Sequence, residues 1–101
     1  MVNKQISLLR DVEDPFRLSE IVTSLMSHNT PTFRQWWRVL RLLFQKKFSN
    51  RGTLYTIYVM AGKKAEEEEC RICSRQKREE FQKQVQDFSN WFWDQYKHPL
   101  P

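Results

Sequence analysis

The chain has 101 residues, a net charge of +5 at neutral pH, 40% hydrophobic residues and 14% aromatic ones. That length bounds it to one domain with a modest core, and the apolar and aromatic content excludes a disordered chain. Two glycines and four prolines leave few tight turns, which disfavours a many-stranded sheet and points to an all-α fold of a few long helices.

The first helix signal is Asp14-Pro15, an N-cap followed by proline at the first helical position. Leu18, Ile21, Val22, Leu25 and Met26 recur behind it at helical spacing, predicting a helix over 14–28 that Asn29 closes. Thr30-Pro31 repeats the start signal and predicts a second helix over 31–49. Phe33, Trp36, Trp37, Leu40, Leu43, Phe44 and Phe48 fall on its apolar side, with Trp37 and Phe48 at the border. At about 100° per residue, Arg34, Arg38, Arg41 and Gln45 share a narrow arc on the other side.

Asn50-Arg51-Gly52 reads as a turn. The β-branched stretch Thr53 to Met60 suits a strand or a helix. No second strand is evident to pair with it, so a short helix over 53–61 is predicted, ending near Gly62. A long helix over 63–97 follows, with Glu66 to Glu69 in its first turns, where the helix dipole favours carboxylates. Cys70, Cys73, Phe81, Val85, Phe88, Phe92 and Tyr96 share one face. Pro99 and Pro101 stop the helix. The result is a small four-helix domain packed through Trp36, Leu40, Phe44, Phe81, Val85 and Phe88. A continuous last helix would be about 50 Å long, so it bends near Ser89-Asn90 or projects and finds a partner, a homodimer being one outcome.

The distribution of charge carries the functional reading. From Ile21 to Ala65 there are eight basic residues and no acid: Arg34, Arg38, Arg41, Lys46, Lys47, Arg51, Lys63 and Lys64. An ordinary solvated helix face mixes signs, because opposite charges four residues apart support one another. A face of arginine alone sustains self-repulsion, and guanidinium forks grip phosphate with paired hydrogen bonds. These eight residues are the candidate nucleic-acid-binding site, with RNA or non-specific duplex favoured over a sequence reader and other polyanions as further partners.

The segment Asn90 to Tyr96 carries three consecutive aromatics pointing in different directions. Trp91, Trp93 and Tyr96 are therefore the candidate partner interface of a second reading, a helical protein–protein adaptor. A third reading is a peripheral membrane module. It is similar to retroviral matrix domains only in being small, basic and helical, and Val2 stands where a myristoylated glycine would be needed.

Cys70 and Cys73, with His28 and His98, are the residues a zinc site would have to draw on. One pair at CxxC spacing is a weak metal pattern, so no metal and no cofactor is assigned. No nucleophile–base pair or phosphate loop is present, and the carboxylates cluster at an expected helix start, so no catalytic residue is assigned and a non-enzyme is expected. No apolar run is long enough to span a bilayer and no signal-peptide pattern opens the chain, which predicts an intracellular protein, cytoplasmic or nuclear, with reduced thiols.

Overall fold

The computed structural model describes residues 2–28 and 31–97. Among them the fold is all-α, with five helices and no strand. The helices are α1 (Val2–Asp11), α2 (Pro15–His28), α3 (Phe33–Gln45), α4 (Arg51–Cys70) and α5 (Arg75–Tyr96). Five helices replace the four expected, and the differences have local causes.

Helix α1 lies in a stretch whose mixed charges conceal a short apolar stripe. Ile6 and Leu9, three residues apart, are fully buried, and Val2 packs beside them. Gln5 Nε2 donates to Ser24 Oγ of α2 at 3.0 Å, and Asn3 Oδ1 accepts from Gln35 Nε2 of α3 at 3.1 Å. Polar clasps on both neighbours thus hold a helix too short to be stable alone.

Asp14 caps α2. Its carboxylate accepts the backbone N–H of Phe16 at 3.1 Å, and its carbonyl accepts that of Leu18. The proposed closure by Asn29 and the start at Thr30 fall outside the described residues. Helix α3 is capped by Thr32 in a reciprocal box with Gln35, so it begins two residues later than Pro31 suggests. It also ends earlier than expected. Lys47 adopts φ 56°, its N–H bonds the Phe44 carbonyl, and the Phe48 N–H bonds the Leu43 carbonyl. That is a Schellman closure, with Phe48 buried as its apolar contact.

The largest revision concerns 53–97. Helix α4 starts at an Asn50 cap, whose side chain accepts from the Thr53 N–H at 3.0 Å. It then runs straight through Gly62. A glycine inside a helix costs about 1 kcal/mol relative to alanine. That cost is offset because Leu54, Ile57, Ala61 and Ala65 bury one continuous stripe. The chain breaks at Arg71–Ser74 and not at Ser89-Asn90. Ser74 caps α5, and Arg78 reaches back to the Ile72 carbonyl at 2.7 Å. Glu66 to Glu69 therefore close α4 instead of opening a helix. The expected 50 Å rod is two helices folded against each other, the second about 33 Å long at 1.5 Å per residue, so the length argument for a dimer disappears.

The core runs through all five helices, and no polar or charged side chain among the described residues is buried in it. Trp36, Leu40 and Phe88 are buried as expected, while Phe44, Phe81 and Val85 lie half-buried at its edge. Helices α3 and α5 meet through rings. Phe33 contacts Phe81 and Phe88 at 5.6 and 5.1 Å, Trp37 contacts Phe88 and Trp91 at 5.3 and 6.2 Å, and Phe44 contacts Trp91 and Phe92 at 5.6 and 5.9 Å. Contacts that advance together along both helices mean that the two run parallel. Tyr58 of α4 stacks on Phe92 at 4.3 Å and Phe88 at 5.5 Å, and its hydroxyl shares a 2.8 Å hydrogen bond with Ser89 Oγ.

Candidate nucleic-acid interface

The capping box fixes the start of α3, and its helical period then sorts the side chains. Phe33, Trp36, Val39, Leu40 and Leu43 turn into the core, while Arg34, Arg38 and Arg41 turn outward and are exposed. Arg34–Arg38 and Arg38–Arg41 are like-charged pairs at helical spacing, each costing about 0.2–0.5 kcal/mol. None of the three makes an ion pair with a described residue. Arg34 Nη2 donates to Gln84 Oε1 of α5 at 3.4 Å, and the Arg41 guanidinium lies 4.9 Å from the centre of the Trp37 ring.

These residues border a groove along the α3–α5 seam. Its first part, of about 450 Å³, is lined by Arg34, Trp37, Arg38, Arg41 and Gln84. Arg41 also belongs to a second part of about 300 Å³, lined with Phe44, Gln45, Trp91 and Gln95. No carboxylate of a described residue lines either part. The local environment is therefore cationic, amide-rich and aromatic.

The other five basic residues are not part of this groove. Lys46 Nζ donates to the Val12 carbonyl at 2.8 Å and pairs with Glu13 at 3.2 Å, and its side chain is only 11% exposed. It ties the end of α3 to the α1–α2 connection. Arg51 donates to the Tyr96 carbonyl and lies 4.1 Å from the centre of the Tyr96 ring, whose hydroxyl donates to the Arg51 carbonyl at 3.2 Å. It joins the start of α4 to the end of α5. Lys64 pairs with Glu67 at 3.5 Å. Lys63 lines a different groove, between α4 and α5, beside Glu66 and Glu69. Lys47 is exposed on the turn after α3.

The aromatic C-terminal residues also divide. Trp91 and Tyr96 are half-buried, Trp91 against Trp37 and Phe44 and Tyr96 stacked on Phe92 at 5.1 Å. Trp93 is 43% exposed and stands beside Tyr55 at 6.1 Å and Tyr58 at 5.4 Å. Cys70 and Cys73 are free and exposed. No group of three or more His, Cys, Asp or Glu among the described residues is placed to hold a metal ion. His28 is exposed, and His98 lies outside the described residues.

Sequence reasoning missed the second wall of the groove. Gln84, Trp91 and Gln95 follow one another on α5 at intervals of seven and four, a helical stripe visible in the sequence. Only the fold shows that this stripe faces the arginines. Comparison with protein-family models, curated proteins and solved structures returns no match. None of the described helices is long and apolar enough to cross a membrane.

Proposed function

We propose that this protein binds nucleic acid, RNA favoured, through the phosphates, with Arg34, Arg38 and Arg41 as the contact. The observation that supports this reading most is the groove itself. Three exposed arginines converge on one concavity that no carboxylate of a described residue lines, and no ion pair with a described residue neutralises them. Guanidinium groups held in this way match phosphate oxygens in both charge and fork geometry. Binding of this kind is electrostatic in origin and weakens as salt rises. Lys47, exposed beyond the end of α3, extends the field, whereas Lys46, Arg51 and Lys64 serve the fold. In this reading the protein is a binding module and carries no catalytic group.

Reversing the three charges together tests it. Arg34→Glu, Arg38→Glu and Arg41→Glu in one chain should abolish binding of labelled RNA in a fluorescence-anisotropy titration, with the helical circular dichroism spectrum unchanged. Undiminished binding would remove the stripe from the interface. Flotation with anionic vesicles in the same series distinguishes a lipid surface from a polynucleotide.

A second reading, contact with another protein or a second copy, is favoured by one observation. Trp93, Tyr55 and Val59 are large apolar side chains exposed on α4 and α5. Trp93→Ala with Tyr55→Ala should lower the mass measured by light scattering if this surface associates.

A further inference from the structure

The arginine groove has two chemically different walls, and that difference constrains what fits it. We propose that its ligand is a single-stranded polynucleotide lying along the α3–α5 seam, its phosphates on Arg34, Arg38 and Arg41 and its bases against Gln84, Trp91 and Gln95. This rests on the polynucleotide reading above and narrows it.

The geometry is that of a track. Arg34 and Gln84 meet at one end, and Gln45 and Gln95 line the other, so both walls advance by eleven residues. At 1.5 Å per residue that is about 17 Å of parallel helix. The two parts share Arg41 as a lining residue. Laid end to end along the seam, they extend further than a single mononucleotide needs.

The chemistry differs from wall to wall. Helix α3 presents guanidinium groups, which are donors only and suit phosphate. Helix α5 presents primary amides, each carrying donors and an acceptor, which match the mixed edges of an unpaired base or a ribose 2′-hydroxyl. Trp37, Phe44 and Trp91 supply ring surface between them, the usual support for unpaired bases. A ligand that uses both walls must expose phosphate and base edge side by side, as a single strand does.

A duplex fits this surface poorly. It is a convex cylinder with its bases paired inward: a B-form major groove, about 12 Å wide, is read by one element that protrudes, and an A-form one is too deep and narrow for side chains to read. Here α5 lies alongside the basic face of α3, so a duplex would touch the arginine rim and leave the amide wall unused. A lipid surface is flat and would leave the seam empty for the same reason.

The test compares three probes on the full chain at one salt concentration: a labelled 12-nucleotide RNA, a hairpin duplex of equal charge, and anionic phosphatidylserine vesicles. The single strand should bind about tenfold more tightly than the duplex, the scale expected of a stacked base. The double variant Gln84→Leu/Gln95→Leu should lose about tenfold on the single strand, from two lost hydrogen bonds, and leave duplex binding unchanged. Gln84→Glu/Gln95→Glu, with thermal melting as the control for folding, should lose more, because it places carboxylates in the track. Equal affinity for the duplex, or single-strand binding indifferent to both pairs of substitutions, overturns the track and leaves phosphate binding standing. Vesicle binding without binding to either nucleic acid overturns both.

Discussion

Glu68 offers a sharp test of how the fold is tied together. Four carboxylates in the last turns of α4 lie at the negative end of that helix, where the dipole opposes them. Yet Glu68 is only half-exposed, and its Oε2 accepts the backbone N–H of Phe33 at 2.8 Å, 35 positions away. Phe33 opens α3, so its N–H is one of the donors no helical carbonyl can reach. Glu68 thus caps a neighbouring helix and places its charge at that helix's positive end. A hydrogen bond to a charged group is worth about 1.5–3 kcal/mol net, so Glu68→Ala should destabilise the fold by about 2 kcal/mol. For a domain of this size that is about 8–16 °C in melting temperature. Glu67 is the control, one residue away. Its side chain is 56% exposed and, among the described residues, pairs only with Lys64, at 3.5 Å, so Glu67→Ala should stay within about 0.5 kcal/mol of the parent. The measurement is thermal and urea unfolding followed by circular dichroism. Equal effects of the two substitutions would refute the capping role and leave the acidic run as a solvated face.

Lys47 occupies the left-handed region at φ 56°, where a side chain costs about 1–2 kcal/mol. Lys47→Gly should raise the urea midpoint by an amount worth about 1 kcal/mol, and a fall would mean that the Schellman turn is not formed in solution. Phe88 is 1% exposed and touches the rings of Phe33, Trp37 and Tyr58. Phe88→Ala should cost about 3–5 kcal/mol and unfold or nearly unfold the chain at room temperature, whereas Phe88→Leu should retain a cooperative melt. A cooperative, undiminished melt for the alanine variant would contradict the placement of α5 against α3.

What the sequence made legible follows from the range of the forces involved. Asp14-Pro15 and the apolar spacing of 18–26 are local signals, and α2 forms where they indicate. The separation of Arg34, Arg38 and Arg41 from Phe33, Trp36 and Leu40 is helical periodicity, and it survives in α3. The break at 71–74 is hidden because Arg-Ile-Cys-Ser holds neither glycine nor proline, and the Ser74 cap, which accepts the Lys77 N–H, stands alone as a local signal. Local dipole reasoning puts the glutamate run at a helix start. Here the start that Glu68 serves belongs to another helix. The basic residues looked like one block because they are contiguous in sequence. Lys46 and Arg51 were drawn away by carbonyls and a ring that only the tertiary fold brings near.

The reading of the α3–α5 groove stands or falls on salt dependence. Log affinity for a single-stranded RNA, titrated from 50 to 200 mM salt, should fall with log salt concentration at a slope of about −0.7 per phosphate contact, or about −2 for three arginines. Replacing Arg34, Arg38 and Arg41 by Gln one at a time should reduce the steepness by about 0.7 each. A slope near zero, or one that all three replacements leave unchanged, would contradict phosphate contact at this groove.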